Sequence, residues 1–259
     1  MEETLVQKPQ PSSFLRWSAL LLISLAMFGN YYIYDSISPL AYLLKSQLGF
    51  SDQNIGLLNA MYSFPNIIMV LVGGLIIDRI GTRKSVLIFT FLIMIGSIIT
   101  ALSGNIALMA TGRFIFGLGA ESMIVAITTI VARWFKGKQL SLAFGLNLTI
   151  ARAGSFMALN SATWGSSFFD SWQTPLFISI AGGVFAFICI LIYYFLDQYT
   201  SIHYSMVQDG QQDEIKLSEI LHVKNKKRWI YLVFVLIACL LYTSPSPRDR
   251  TRSRMPSSA

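Results

Sequence analysis

The sequence predicts an all-α transmembrane fold, a bundle of six membrane-spanning helices, and two observations carry that prediction. Hydrophobic residues make up 54% of the 259 residues and charged residues only 13%, with a mean hydropathy of +0.56. That balance is too apolar for the surface of a soluble domain of this size. Apolar runs of spanning length also recur, at 17–38, 55–77, 85–102, 106–134, 140–164 and 175–196. As a helix, each is long enough to cross a hydrocarbon core ~30 Å thick.

The elements follow in order. Run 17–38 is too long for the apolar core of a signal peptide and has no small-residue cleavage site before Asp35, so it reads as a retained helix. Run 55–77 contains Pro65, which predicts a kink. Run 85–102 follows a short charged turn. Run 106–134 carries Gly112, Gly117 and Gly119, small residues that suit close helix packing. Run 140–164 contains Asn147-Leu-Thr149, a glycosylation acceptor pattern that a spanning helix makes unreachable. Run 175–196 carries Cys189, and with only Cys239 besides there is no disulfide framework. A seventh run starts at Trp229 and is cut short.

The net charge of +7 invites a nucleic-acid reading, but the basic residues are distributed by topology. Lys8 and Arg16 precede the first run, Arg79, Arg83 and Lys84 follow the second, and Arg133, Lys136 and Lys138 follow the fourth. Lys224, Lys226, Lys227 and Arg228 precede the seventh, whereas the alternate loops hold little beyond Lys45, Asp52 and Asp170. The positive-inside rule then places the N-terminus and the linker after the sixth run in the cytosol, which requires an even number of crossings between them. The implied surroundings are a lipid bilayer, not nucleic acid.

Two charges lie inside the apolar runs, Glu121 and Arg152. A charge at the bilayer centre costs at least ~2.5 to 3.5 kcal/mol, so it marks a pathway or a binding site. Glu121 precedes Arg133 by twelve residues and Arg152 follows Lys138 by fourteen. At 1.5 Å per residue both lie ~18 to 21 Å from the same membrane face. That shared depth is where transporter substrates bind. An acceptor-only carboxylate and a bidentate guanidinium suit a zwitterion with an ammonium and a carboxylate. The alternative is a buried Glu121–Arg152 ion pair with no ligand. Tyr31, Tyr32 and Tyr34, near the end of the first run, are candidates to line the cavity, with Tyr32 and Asn147 taken as further substrate contacts, although aromatics there also suit the interfacial belt. Both histidines, His203 and His222, fall in the linker, so only Glu121 could carry a proton within the spans. The residues suggest no catalytic constellation, cofactor or metal site, and the expectation is a protein that is not an enzyme.

Between the second and third runs lies Gly74-Leu-Ile-Ile-Asp78-Arg79-Ile-Gly81-Thr82-Arg83-Lys84. This stretch resembles the G-x-x-x-D-R-x-G-R-[RK] loop of the major facilitator superfamily. Gly74 is expected to allow close helix approach, Gly81 to permit a tight turn, and Asp78 to face a helix N-terminus or a basic group across a cytosolic gate. Gly112-Arg113 with Gly117 and Gly119 is similar to the superfamily's fourth-helix signature, where Arg113 is expected to hold a gate or snorkel. GRFIFGLGAES, ARWFKGKQLSLAFGL and ARAGS, with Ser63-Phe-Pro65-Asn66 and Leu196-Asp197-Gln198, resemble the lysosomal dipeptide-transporting branch of that superfamily.

The resemblance implies the N-terminal six-helix half of a twelve-helix fold, truncated in helix seven. It divides the chain into a bundle at 1–198, a cytosolic linker at 199–228 and the start of helix seven at 229–238. It further implies dipeptide transport from lysosome to cytosol by uniport, with Glu121 and Arg152 holding the two peptide termini. A glycosylated accessory membrane protein and a homodimer are also implied. The residues leave two alternatives open: carriage of another small solute such as an organic anion or sugar, or a non-transporting multispan receptor or scaffold. No acidic dileucine sorting signal is evident in MEETLVQKPQ. In the linker, 214–223 can form a short amphipathic helix. Residues 239–259 resemble the in-frame translation of sequencing-library adapters; without their four Arg and one Asp the remaining segment carries about +4.

Overall fold

The computed structural model describes residues 9–135, 139–161, 164 and 170–204. The chain divides into two units, Met1–Gln211 and Gln212–Ala259, and every described residue belongs to the first. The linker beyond Tyr204, the seventh run and 239–259 lie outside the described residues.

Among the described residues the structure is all-helical: α1 Ser13–Asp35, α2 Ile37–Leu48, α3 Asp52–Ile80, α4 Thr82–Leu102, α5 Ile106–Trp134, α6 Leu140–Asn160 and α7 Gln173–His203. Among the described residues six stretches are long and apolar enough to cross a membrane, with α1 and α2 together forming the first, Ser13–Leu48. The sixth helix therefore runs five residues past Gln198, where the sequence reading begins the linker.

Three helix starts, those of α1, α3 and α5, carry side-chain caps. Ser51 Oγ accepts from Asn54 N at 3.2 Å to open α3, and Asn105 Oδ1 accepts from Ala107 N at 2.8 Å to open α5. These replace intrahelical partners the first turn lacks. α2 ends at Gly49 with φ +67°, where Phe50 N donates to Leu44 O at 3.2 Å and Gly49 N to Lys45 O at 3.1 Å. The Gly49 N–Lys45 O bond with a left-handed residue is the αL closure that favours glycine.

The first span breaks at Ser36, a feature sequence reasoning missed although Pro39 signals it. Proline has no N–H for the carbonyl four residues earlier, here that of Asp35, and its ring crowds that oxygen. The chain tightens instead: Ser36 N donates to Ile33 O at 3.4 Å and Ser36 Oγ to the same oxygen at 2.7 Å. Pro65, by contrast, sits inside a continuous α3.

Extensive helix contacts join α3 to α5, α5 to α4, α4 to α7, α7 to α1 and α1 to α6. In span numbers the spatial order is two, four, three, six, one, five. Exchanging spans one to three with four to six and reversing the order returns the same arrangement. The first and fourth spans start at opposite membrane faces, so the half is two inverted three-helix repeats, a plan known from transporter folds. The sequences of the repeats have diverged too far to show it.

Glycines set how closely these helices approach. A Cβ on Gly119 would lie 2.4 Å from Phe89 O of α4, and one on Gly117 would lie 2.4 Å from Tyr62 O of α3. Both obstacles are backbone and cannot rotate aside. Gly119→Ala is expected to lower stability by ~1–3 kcal/mol through overpacking, read as an earlier thermal transition of the detergent-solubilised protein. Among the described residues a Cβ on Gly74 meets nothing within 4 Å, so the close approach expected of it is not made to any of these helices. Its neighbour Gly73 makes one, since a Cβ would come 2.4 Å from Ser122 Oγ. At ~100° per residue the two adjacent positions face different ways, and Gly73 alone faces α5.

Candidate functional site

Three helices converge on a cavity of about 210 Å³ lined by Asn30, Tyr31 and Tyr34 of α1, Ala120, Glu121 and Ile124 of α5, and Arg152 of α6. These elements belong to spans one, four and five. Residues three apart share a helix face, which brings Tyr31 with Tyr34 and Glu121 with Ile124 to one wall. The volume falls below the ~300–1,000 Å³ usual for small-molecule pockets.

Glu121 is half-buried and Arg152 exposed into this space. The Arg152 guanidinium carbon lies 5.0 Å from the Tyr31 ring centroid, a cation–π contact that fixes its head while leaving its N–H groups available. Among the described residues the ion pairs are Lys45–Asp52, Arg83–Asp197 and Arg133–Asp197. The Glu121–Arg152 ion pair that the sequence allows is not formed; the two charges face one cavity separately.

Asn66 of α3 adjoins Glu121. Its amide is best satisfied with Nδ2 donating to Gly117 O at 2.7 Å and to Tyr62 O at 3.2 Å. In the other amide orientation Nδ2 instead donates to Glu121 Oε1 at 3.5 Å. Asn30 is 3% exposed, and its Oδ1 has no hydrogen-bond partner among the described residues. An unpaired buried acceptor costs ~1–3 kcal/mol. Sequence reasoning missed Asn30; the available signal was an amide one residue before the tyrosines inside an apolar helix.

Two residues taken as substrate contacts lie elsewhere. Tyr32 is 5% exposed, packed with its ring 6.3 Å from Trp164, because one helical step turns it away from the wall of Tyr31 and Tyr34. Asn147 is buried, and its Oδ1 accepts from Ser24 Oγ at 3.0 Å, tying α6 to α1. Neither lines the cavity.

Arg113 does not snorkel. It is 2% exposed and donates through Nη1 to Ile33 O and through Nη2 to Tyr34 O, each at 3.1 Å. Its guanidinium carbon also lies 4.9 Å from the Tyr62 ring centroid. Arg113 thus adds to the hydrogen bonds of the last α1 turn, where Ile33 O already accepts from Ser36. It thereby holds the turn that presents Tyr31 and Tyr34.

At the end of the bundle that carries the basic residues, Gly81 adopts φ +85° between α3 and α4, the tight turn expected of it. Asp78, Arg79 and Lys84 are exposed. Arg83 instead joins a buried network around Asp197 of α7. Arg83 Nε lies 2.9 Å from Oδ2, Tyr193 OH donates to Oδ1 at 3.0 Å, Trp134 Nε1 to Oδ1 at 3.2 Å, and Arg133 pairs with Oδ1. Asp197 is 0% exposed, so one carboxylate binds α4, α5 and α7 together.

Among the described residues, six helices able to span a membrane, arranged as inverted repeats with a carboxylate on one and a guanidinium on another facing one cavity, define a membrane transport protein. The chain belongs to the Major Facilitator Superfamily, whose profile matches residues 22–247. It is 34% identical over 237 residues to the lysosomal dipeptide transporter MFSD1 of Bos taurus and of Homo sapiens, covering 86% of this chain and 50% of each relative. The hexuronate transporter of Escherichia coli is 28% identical over 180 residues, covering 70% of this chain and 41% of that one. Among solved structures, the peptide transporter POT in complex with alafosfalin aligns with a TM-score of 0.63 at 17% identity, covering 92% of this chain and 49% of that one. The chain thus spans about half the length of these relatives, and the structural match shows the fold.

Proposed function

We propose that the chain forms the substrate-binding N-terminal half of a dipeptide facilitator. One observation carries this reading: Glu121 and Arg152 face a single cavity without pairing to each other. Glu121 accepts from the peptide ammonium and Arg152 grips the carboxylate through its guanidinium fork. The lysosomal dipeptide transporters among its relatives support the substrate class. Transport proceeds by alternating access against a second six-helix bundle, as uniport from lysosome to cytosol, with the N-terminus cytosolic. The Arg83–Arg133–Asp197 network keeps the cytosolic end of this half rigid while the halves rock.

The resemblance to the hexuronate transporter favours a second reading, an acidic sugar. That substrate would use Arg152 and leave Glu121 without a partner. Competition against radiolabelled Ala-Ala uptake into proteoliposomes of the full-length protein separates the two. N-acetylation and C-amidation of the competitor are each expected to weaken it at least ~30-fold, the scale of truncating one partner of a buried charge pair. Full competition by N-acetylated peptide or by a hexuronate would replace the dipeptide reading with the anion reading.

A further inference from the structure

We propose that Tyr31 is a positioning residue: the face of its ring holds the Arg152 guanidinium ready for a carboxylate, and so sets how strongly the site prefers a free peptide C-terminus to an amidated one. The inference rests on the dipeptide reading and deepens it. Arginine is long and flexible, and ordering such a side chain on binding costs affinity unless the protein has ordered it beforehand.

The geometry supplies that order. Tyr31 and Arg152 both line the cavity, from α1 and α6, which pack extensively against each other. Among the described residues Arg152 joins none of the ion pairs. Its guanidinium carbon lies 5.0 Å from the Tyr31 ring centroid, inside the ~6 Å reach of a cation–π contact. A ring covers one face of the planar group, whereas the N–H donors point outward in its plane, so the contact holds the head without consuming the fork that grips a carboxylate. The Tyr31 ring is itself backed by others. It lies 6.2 Å from the Tyr34 ring, which lies 4.8 Å from Tyr62 edge-on, and Tyr62 lies 4.9 Å from the guanidinium carbon of Arg113. Arg113 donates to the carbonyls of Ile33 and Tyr34 in the same α1 turn. Three rings thus run from a buried arginine that fixes the turn to the arginine that faces the cavity.

The test uses the full-length transporter reconstituted in liposomes, with Ala-Ala and its C-amide competing against radiolabelled Ala-Ala. Tyr31→Leu is expected to weaken Ala-Ala roughly fivefold, the scale of one cation–π contact, and to shift the amide less than about twofold, because the amide gives Arg152 no carboxylate to grip. Tyr31→Phe is expected to stay within about twofold of wild type for both peptides, since the contact uses the ring and not the hydroxyl. A ring-fluorinated phenylalanine at this position keeps the shape, draws electron density from the ring face, and is expected to reproduce the loss for the acid alone. Equal losses for acid and amide would make Tyr31 a contact for another part of the peptide or a mere wall, and a full loss in Tyr31→Phe would assign the effect to the hydroxyl; either overturns the positioning role. If Tyr31→Leu does not fold, the phenylalanine and its fluorinated analogue decide. Full competition by N-acetylated Ala-Ala on the wild type would instead overturn the dipeptide reading itself, so the two failures are distinguishable.

Discussion

Glu121→Gln in the full-length transporter is expected to reduce dipeptide flux by ~10²-fold or more while leaving the thermal transition within about a degree of wild type. The substitution keeps the side chain's size and removes only its charge. A buried, hydrogen-bonded charge pair loses ~2–5 kcal/mol when one partner is neutralised, which is ~30- to 5,000-fold in affinity. Stability is spared because Glu121 forms no ion pair among the described residues, so folding does not depend on its charge. Arg152→Lys keeps the charge but loses the planar fork and weakens the stacking on Tyr31. It is expected to lower flux by ~10-fold or more, with the largest loss for peptides with a free carboxylate. The two variants should also part company on an anion that lacks an amino group: Glu121→Gln leaves its weak binding intact, whereas Arg152→Lys diminishes it. Uptake at wild-type rates by both variants would remove these residues from the site.

That Glu121 and Arg152 could share one cavity was legible in the sequence because distance along a helix is linear in residue number, and equal spacing from the basic residues puts the two at one level. The charged loop was legible because Gly81 must take a positive φ and only glycine does so freely. Azimuth was not. Whether Tyr31 or Tyr32 faces the cavity, or Gly73 or Gly74 the neighbouring helix, depends on which side of each cylinder its partners occupy. That follows from an arrangement in which spans adjacent in space are not adjacent in sequence. In lipid, apolar residues cover every face, so hydrophobic periodicity cannot supply the missing direction. Asp197 illustrates the same limit: its place at the end of the sixth helix is visible, but its partners Arg83, Arg133 and Trp134 come from two other spans.

Asp197→Asn is expected to be the most destabilising conservative change in the described residues, by about 3–5 kcal/mol, the penalty for removing one partner of a buried ion pair. The carboxylate is fully enclosed, and its loss removes the charge that the Arg133 side chain, 11% exposed, shares with Arg83. The expected readout is an earlier thermal transition and reduced surface-expressed protein, with residual flux per folded molecule showing an unchanged KM because the substrate cavity lies elsewhere. Arg83→Ala should cost less than Arg133→Ala: the Arg83 side chain is 28% exposed, so solvent screens its share of the pair and the loss stays near ~1 kcal/mol. The three effects cannot add, since all run through one carboxylate. A variant with Asp197, Arg83 and Arg133 all replaced by leucine should therefore be more stable than Asp197→Asn alone, because no charge is left buried and unpaired. If the triple variant instead unfolds further by the sum of the single losses, the network acts as three independent contacts rather than one shared charge, and its role in holding α4, α5 and α7 as a unit falls.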